Sequence, residues 1–270
     1  MKSLLYIGVM LLFSCGQSSR EKTPAVEGFK LPVVHQSLGA DTLAHFTPAF
    51  LTESFCRIGG KSFATDTLSF PLEEYIDTSV AKYLNRRHLD TPVSYDGFEL
   101  HPDYVSSVYR GYKSHRKLFC YYPLYVVNQS TSAKLFPGKD SYAFGIQEAL
   151  DSSGNWHPIE GKGFDFCGNG YWNLPVLPKE FLVILLPKYK GSFKTKIRVR
   201  LKVGDMVYVS KAFDGSINYQ QFVIEKGSYF DHASRAERAS AVQWQFYGAV
   251  PMGKTYSAET GHAVYASQPE

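Results

Sequence analysis

Five basic residues occupy every second position of the segment FKTKIRVRLKV: Lys194, Lys196, Arg198, Arg200 and Lys202. Successive side chains of an extended strand point to opposite faces, so this spacing sets all five on one face. Neighbouring heads then start about 6.6–6.8 Å apart. Such a ridge suits anionic groups: lipid A phosphates, an acidic glycan or an acidic protein partner. The plainer reading is the solvated face of an amphipathic strand, or a charged edge that keeps other strands from pairing. Gly204-Asp205 reads as a two-residue hairpin turn. That turn sets Lys202 opposite Val207, Arg200 opposite Val209 and Arg198 opposite Lys211. The returning strand offers no acid, so either the other neighbour supplies carboxylates or the row faces solvent.

Other arrangements carry thinner chemistry. Cys167 lies in Cys167-Gly168-Asn169-Gly170, with His157 and Asp165 nearby in sequence. A thiol beside a base can act as a nucleophile. A Gly/Asn turn holding a buried or bridged cysteine is the simpler account. Glu160 and Asp165 have the residue types of a glycosidase pair, but a chain with 25 acidic residues offers many such pairs. Trp156, Trp172, Tyr171 and Trp244 can stack on sugar, or pack inside as most aromatics do. The eight histidines show no metal-binding spacing, and no phosphate- or dinucleotide-binding glycine loop occurs. The sequence therefore points to no metal and no cofactor, and a binding role is preferred to catalysis.

At the N-terminus, Lys2 precedes an apolar run from Leu4 to Phe13, which is too short for a comfortable membrane-spanning helix. Leu12-Phe13-Ser14-Cys15 resembles a bacterial lipobox: an aliphatic residue, a variable one, a small one, then cysteine. The resemblance implies a signal peptide over 1–14, cleavage before Cys15, and acylation of the Cys15 sulfur and the new amine. Several acyl chains anchor firmly, since each buried methylene contributes about 0.8 kcal/mol. Gly16 in place of Asp implies, by the same resemblance, the outer membrane. No acidic run follows to mark surface export, so the periplasmic face is expected. With Cys15 acylated, Cys56, Cys120 and Cys167 remain, either as one bridge and one thiol or as three thiols.

The rest of the chain must position these groups. Hydrophobic residues make up 44% and charged residues 20%, enough apolar character for a packed core. The 38 Tyr and Phe with 36 Gly and Pro favour β structure. A net charge of +4 is too mild for a nucleic-acid binder. Residues 15–40 read as a flexible tether, 41–115 as an N-terminal α+β portion with a helix over Leu72–His88, and 116–225 as consecutive strands. Residues 226–270 read as a C-terminal extension with a helix over His232–Gln245. Pro123 marks a bulge or an edge in Leu118–Asn128. Glu180–Leu186 suits a strand covered on both faces. Phe193–Val203, Met206–Lys211 and Ser216–Glu225 read as a three-strand meander. The Asn after Val126-Val127, the Trp after a Ser/Gly turn and the meander resemble immunoglobulin-like domains of bacterial lipoproteins. This resemblance implies a mainly β, antiparallel immunoglobulin-like sandwich and a binding or assembly role.

Overall fold

Apolar residues at every second position, punctuated by turn residues, make this chain a mainly β protein. The structure, a computed structural model, describes residues 28–36, 43–44, 52–54, 56–62, 67–70, 94–112, 117–163, 170–234, 239–254 and 264–266. Cys15, Asp165, Cys167 and the helix predicted over Leu72–His88 lie outside the described residues.

The first strands are β1 (Val33–His35), β2 (Leu43–Ala44), β3 (Thr52–Ser54), β4 (Cys56–Ser62), β5 (Thr67–Ser69) and β6 (Phe98–Pro102). They are followed by β7 (Val108–Tyr112), β8 (Lys117–Asn128), β9 (Lys134–Lys139), β10 (Tyr142–Leu150), β11 (Trp156–Pro158) and β12 (Glu160–Lys162). The last are β13 (Tyr171–Val176), β14 (Phe181–Pro187), β15 (Phe193–Val203), β16 (Met206–Val209), β17 (Phe213–Ile217) and β18 (Val264–Ala266). β1 pairs with β5 and β3 with β12, both parallel. The other fourteen form one hydrogen-bonded network. It is antiparallel except where β2 joins β8 and β18 joins β16.

The result is a β-sandwich. β4, β6, β8, β9, β13 and β14 face β10, β15 and β16 across a core that includes Leu124, Phe136, Leu174, Ile184, Val199 and Leu201. The two layers join at β10, where Tyr142 and Ala143 pair with β4 before Phe144–Ala149 pair with β15. β14 is buried along its whole length, as its unbroken apolar run predicts. Leu182, Ile184 and Leu186 enter the sandwich core. Phe181, Val183 and Leu185 face a second core with Phe29, Val34 and Leu68. Each such burial contributes roughly 1.5–3 kcal/mol. Phe29, within the expected tether, packs 5.3 Å from Phe181 and 5.6 Å from Tyr125, centroid to centroid.

Pro123 sits mid-strand without breaking the ladder. Its carbonyl accepts from Asp103 N at 2.9 Å, on the side where β6 gives way to β7. The N–H and C=O of a strand residue point the same way, so the missing donor falls in that gap and not toward β14.

The meander differs from expectation. Lys202 opposes Val207 and Arg200 opposes Val209, as the Gly204-Asp205 turn requires. The register then slips by one: Ser210 donates its N–H to Val199 O at 2.9 Å, and Lys196 opposes Asp214. β16 and β17 are therefore successive partners of one strand, and Arg198 has no cross-strand partner at Lys211. The expected third strand is replaced by a 3-10 turn, Tyr219–Phe222, capped by Asn218. Asn218 takes the N–H of Gln220, which satisfies an otherwise orphaned donor. The C-terminal helix is realised as α1 (Tyr229–Ser234) and α2 (Ala239–Phe246). In α2, Val242, Gln245 and Phe246 are buried, whereas Trp244, read as either packed or exposed, is 48% exposed.

Candidate functional site: the outer face of β10 and β15

Alternation divides both strands. Ile197, Val199, Leu201 and Val203 face the interior, and the five basic residues line the outer face. The neighbour that the sequence left open is β10, and it brings an acid. Glu148 lies opposite Arg198. Arg198 Nε donates to Glu148 Oε2 at 2.8 Å, and its Nη2 lies 3.3 Å from Oε1. Arg200 Nη2 donates to the same Oε1 at 3.2 Å. One buried carboxylate thus serves two guanidiniums in the forked geometry arginine favours. Both arginines are also covered. Trp156 lies under Arg198, with Cζ 4.2 Å from the ring centroid. Arg200 Nη1 donates to the Tyr247 carbonyl at 3.3 Å, beneath a cluster of Ile146, Phe230, Phe246 and Tyr247. The centre of the basic row is therefore the floor on which the C-terminal helices pack.

The two ends remain open. They lie about 27 Å apart along β15, at roughly 3.3–3.4 Å per residue, too far for one small anion to bridge. At one end, Lys194 and Lys196 border an open cleft of about 790 Å³ with Asp151, Thr195, Asp214 and Ser216. Lys196 Nζ lies 2.8 Å from Asp214 Oδ1, an exposed pair of small energetic weight. At the other end, Lys202 lies opposite Phe144. Phe144 meets Tyr171 at 6.1 Å and Lys162 Nζ at 5.8 Å. Lys162 Nζ also sits 4.2 Å above the Trp244 ring. Lys139, opposite Tyr171 in β9, places its Nζ 4.9 Å over that ring. Among the described residues, Lys162, Lys194 and Lys202 have no ion-pair partner.

Of the groups read as catalytic, His157 and Glu160 are occupied elsewhere. His157 Nδ1 donates to the Val250 carbonyl at 2.8 Å, and Nε2 lies 3.2 Å from Asp151 Oδ2. This pins the C-terminal segment to the Asp151–Gly154 turn. The backbone N–H groups of Asn155 and Ser153 hold the Asp151 carboxyl below its ordinary range. Glu160 is fully buried. Its Oε1 accepts Gln147 N at 2.7 Å, and its Oε2 accepts the Tyr189 hydroxyl. Tyr122 donates to Gln147 Oε1 at 2.9 Å, which completes an internal polar chain. Burial pushes the Glu160 carboxyl up to about 7. Cys56 and Cys120 are buried free thiols, and burial raises both.

Of the four aromatics singled out in the sequence, Trp156 and Trp172 are packed, whereas Tyr171 and Trp244 are about half exposed. The sequence reading missed Glu148, Lys139 and Lys162. Their partners come from other strands and from α2, and no local spacing announces them. Compared with known proteins, the chain matches no family model and no curated sequence.

Proposed function

We propose that the protein is a lipid-anchored, non-catalytic binding module of the bacterial cell envelope. It is carried on Cys15 at the outer membrane, on the periplasmic face. It takes an anionic partner, an envelope protein or an acidic glycan, on the lysine-bearing ends of the β10–β15 face. The observation that carries this reading is the division of the basic row. Arg198 and Arg200 are tied to Glu148, while Lys194, Lys202 and the adjacent Lys162 have no carboxylate partner among the described residues. Charges that hold nothing inside the molecule are free to hold something outside it. The resemblance of Leu12–Cys15 to a lipobox supports the anchor. The engagement of His157 and the burial of Glu160 favour binding over catalysis.

Capture from native membranes in mild detergent tests the reading. The natural chain should retain a partner at low salt that the Lys162→Gln, Lys194→Gln, Lys202→Gln triple variant loses. Near 1 M salt the screening length falls to about 3 Å, and both should lose it. Equal retention by both chains at high salt rejects the electrostatic reading. Cys15→Ser should move the protein out of the membrane fraction, and a variant that stays there rejects the anchor.

A further inference from the structure

We infer that Lys162, Lys202, Lys139, Tyr171 and Trp244, set around Phe144, form a subsite for an acidic saccharide. This deepens the binding reading above and rests on it. The group is built from six elements: β9, β10, β12, β13, β15 and α2. Cross-strand pairing fixes two of its contacts, Lys202 opposite Phe144 and Tyr171 opposite Lys139. Ring and cation contacts link the rest. Phe144 meets Tyr171 at 6.1 Å, and Lys162 spans Phe144 at 5.8 Å and Trp244 at 4.2 Å. Cations and aromatic faces are interleaved in the patch, carried by strands and a helix.

Two features specify the ligand. The first is charge. Three ammonium groups lie together, and Lys162 and Lys202 have no carboxylate among the described residues. Lys162 is half-buried, and burial with the repulsion of Lys202 and Lys139 disfavours its charged form. An anion placed beside Lys162 and Lys202 relieves the repulsion between these two. The second is shape. Tyr171 is 52% and Trp244 48% exposed, large flat apolar surfaces left beside the cations. Aromatic faces accept the apolar face of a ring, and ammonium groups accept its carboxylate or phosphate. A ligand with both properties in each repeat is a chain of acidic sugars. A phospholipid headgroup supplies the charge without the ring face. A nucleic acid has both, but the net charge of +4 is too mild for the strong phosphate neutralisation such binding uses.

The test is calorimetric titration of the full mature chain in detergent with a galacturonate hexamer. A neutral galactose oligomer, inorganic phosphate and an oligothymidine serve as comparisons. The acidic hexamer should bind at least tenfold more tightly than the neutral one and weaken as salt rises. Lys162→Gln with Lys202→Gln should weaken it at least tenfold, and Trp244→Ala at least fivefold. Lys190→Gln, at an exposed position outside the patch, should leave it unchanged. All three chains alter exposed or half-exposed positions, and circular dichroism confirms their folding. Equal affinity for acidic and neutral oligomers overturns the proposal. So does tighter binding of oligothymidine, saturation by phosphate alone, or an equal loss in Lys190→Gln. If the hexamer fails while membrane capture still depends on lysine, this subsite falls and the binding reading stands. If the hexamer binds through these residues and capture yields nothing, the protein-partner form of that reading falls.

Discussion

Glu160 imposes a pH dependence on folding whose size follows from its surroundings. Burial raises its carboxyl from 4.5 to about 7, against the opposing hydrogen bonds of Tyr189 and Gln147. The folded chain therefore holds this proton more tightly than the unfolded chain does. The stabilisation it contributes is complete below about 4.5 and is lost as pH rises through about 7. The gap, about 7 less 4.5, is about 2.5 pH units. At about 1.36 kcal/mol per unit, it amounts to about 3 kcal/mol lost between pH 4.5 and 8. His101 works in the opposite direction. Burial lowers its pKa from 6.5, so its contribution is present above that value and lost as pH falls. The natural profile mixes the two, and Glu160→Gln separates them, because the amide keeps the shape and an acceptor for Gln147 N but does not titrate. Urea unfolding of both chains at pH 4.5, 6, 7 and 8 is the assay. The stability of the natural chain minus that of the variant should fall by about 3 kcal/mol from the lowest pH to the highest. A difference that stays within about 1 kcal/mol across the range would refute the burial argument.

The same reasoning ranks the ion pairs. Glu148→Ala leaves Arg198 and largely buried Arg200 without their carboxylate and should cost about 3–5 kcal/mol, whereas Asp214→Asn, at an exposed pair, should cost less than about 1 kcal/mol. Similar urea midpoints for the two variants would contradict that order. Gly191→Ala should destabilise by about 1–3 kcal/mol, because a methyl there meets the backbone of Ile217 and Asn218, which has no side-chain rotamer to yield. Thermal unfolding reads this directly, and an unchanged midpoint would be inconsistent with the close approach. Cys56 and Cys120 should react with a thiol reagent only slowly in the native protein and at the rate of a model thiol in denaturant, since both are buried and shifted away from the thiolate. Rapid native labelling of Cys56 would show that its part of the core opens.

Much of the architecture was legible from local pattern. After Glu180, the segment Glu180–Leu186 carries no charge and shows no alternation, and Phe181–Pro187 became a strand covered on both faces. The Gly204-Asp205 turn set the pairing of Lys202 and Arg200 correctly. The one-residue slip at Ser210 was not legible, since a bulge depends on how the returning strand meets the sandwich edge and not on its own period. The direction of Trp244 was left open for a related reason. Helical periodicity offered several inward faces, and the packing of Phe246 and Val242 chose one that turns Trp244 outward.

The sequence alone determined that Lys194, Lys196, Arg198, Arg200 and Lys202 share a face, because the strand period of two is a property of the backbone. Tertiary structure decided what each of them meets. Glu148 reaches Arg198 and Arg200 from fifty and fifty-two positions away, through sheet order. Lys139, Lys162 and Trp244 gather near Lys202 from three other elements. Side-chain direction is local, and cross-strand company is not. The first converted a repeating pattern into a ridge, and the second divided that ridge into a buried, paired centre and two cationic ends.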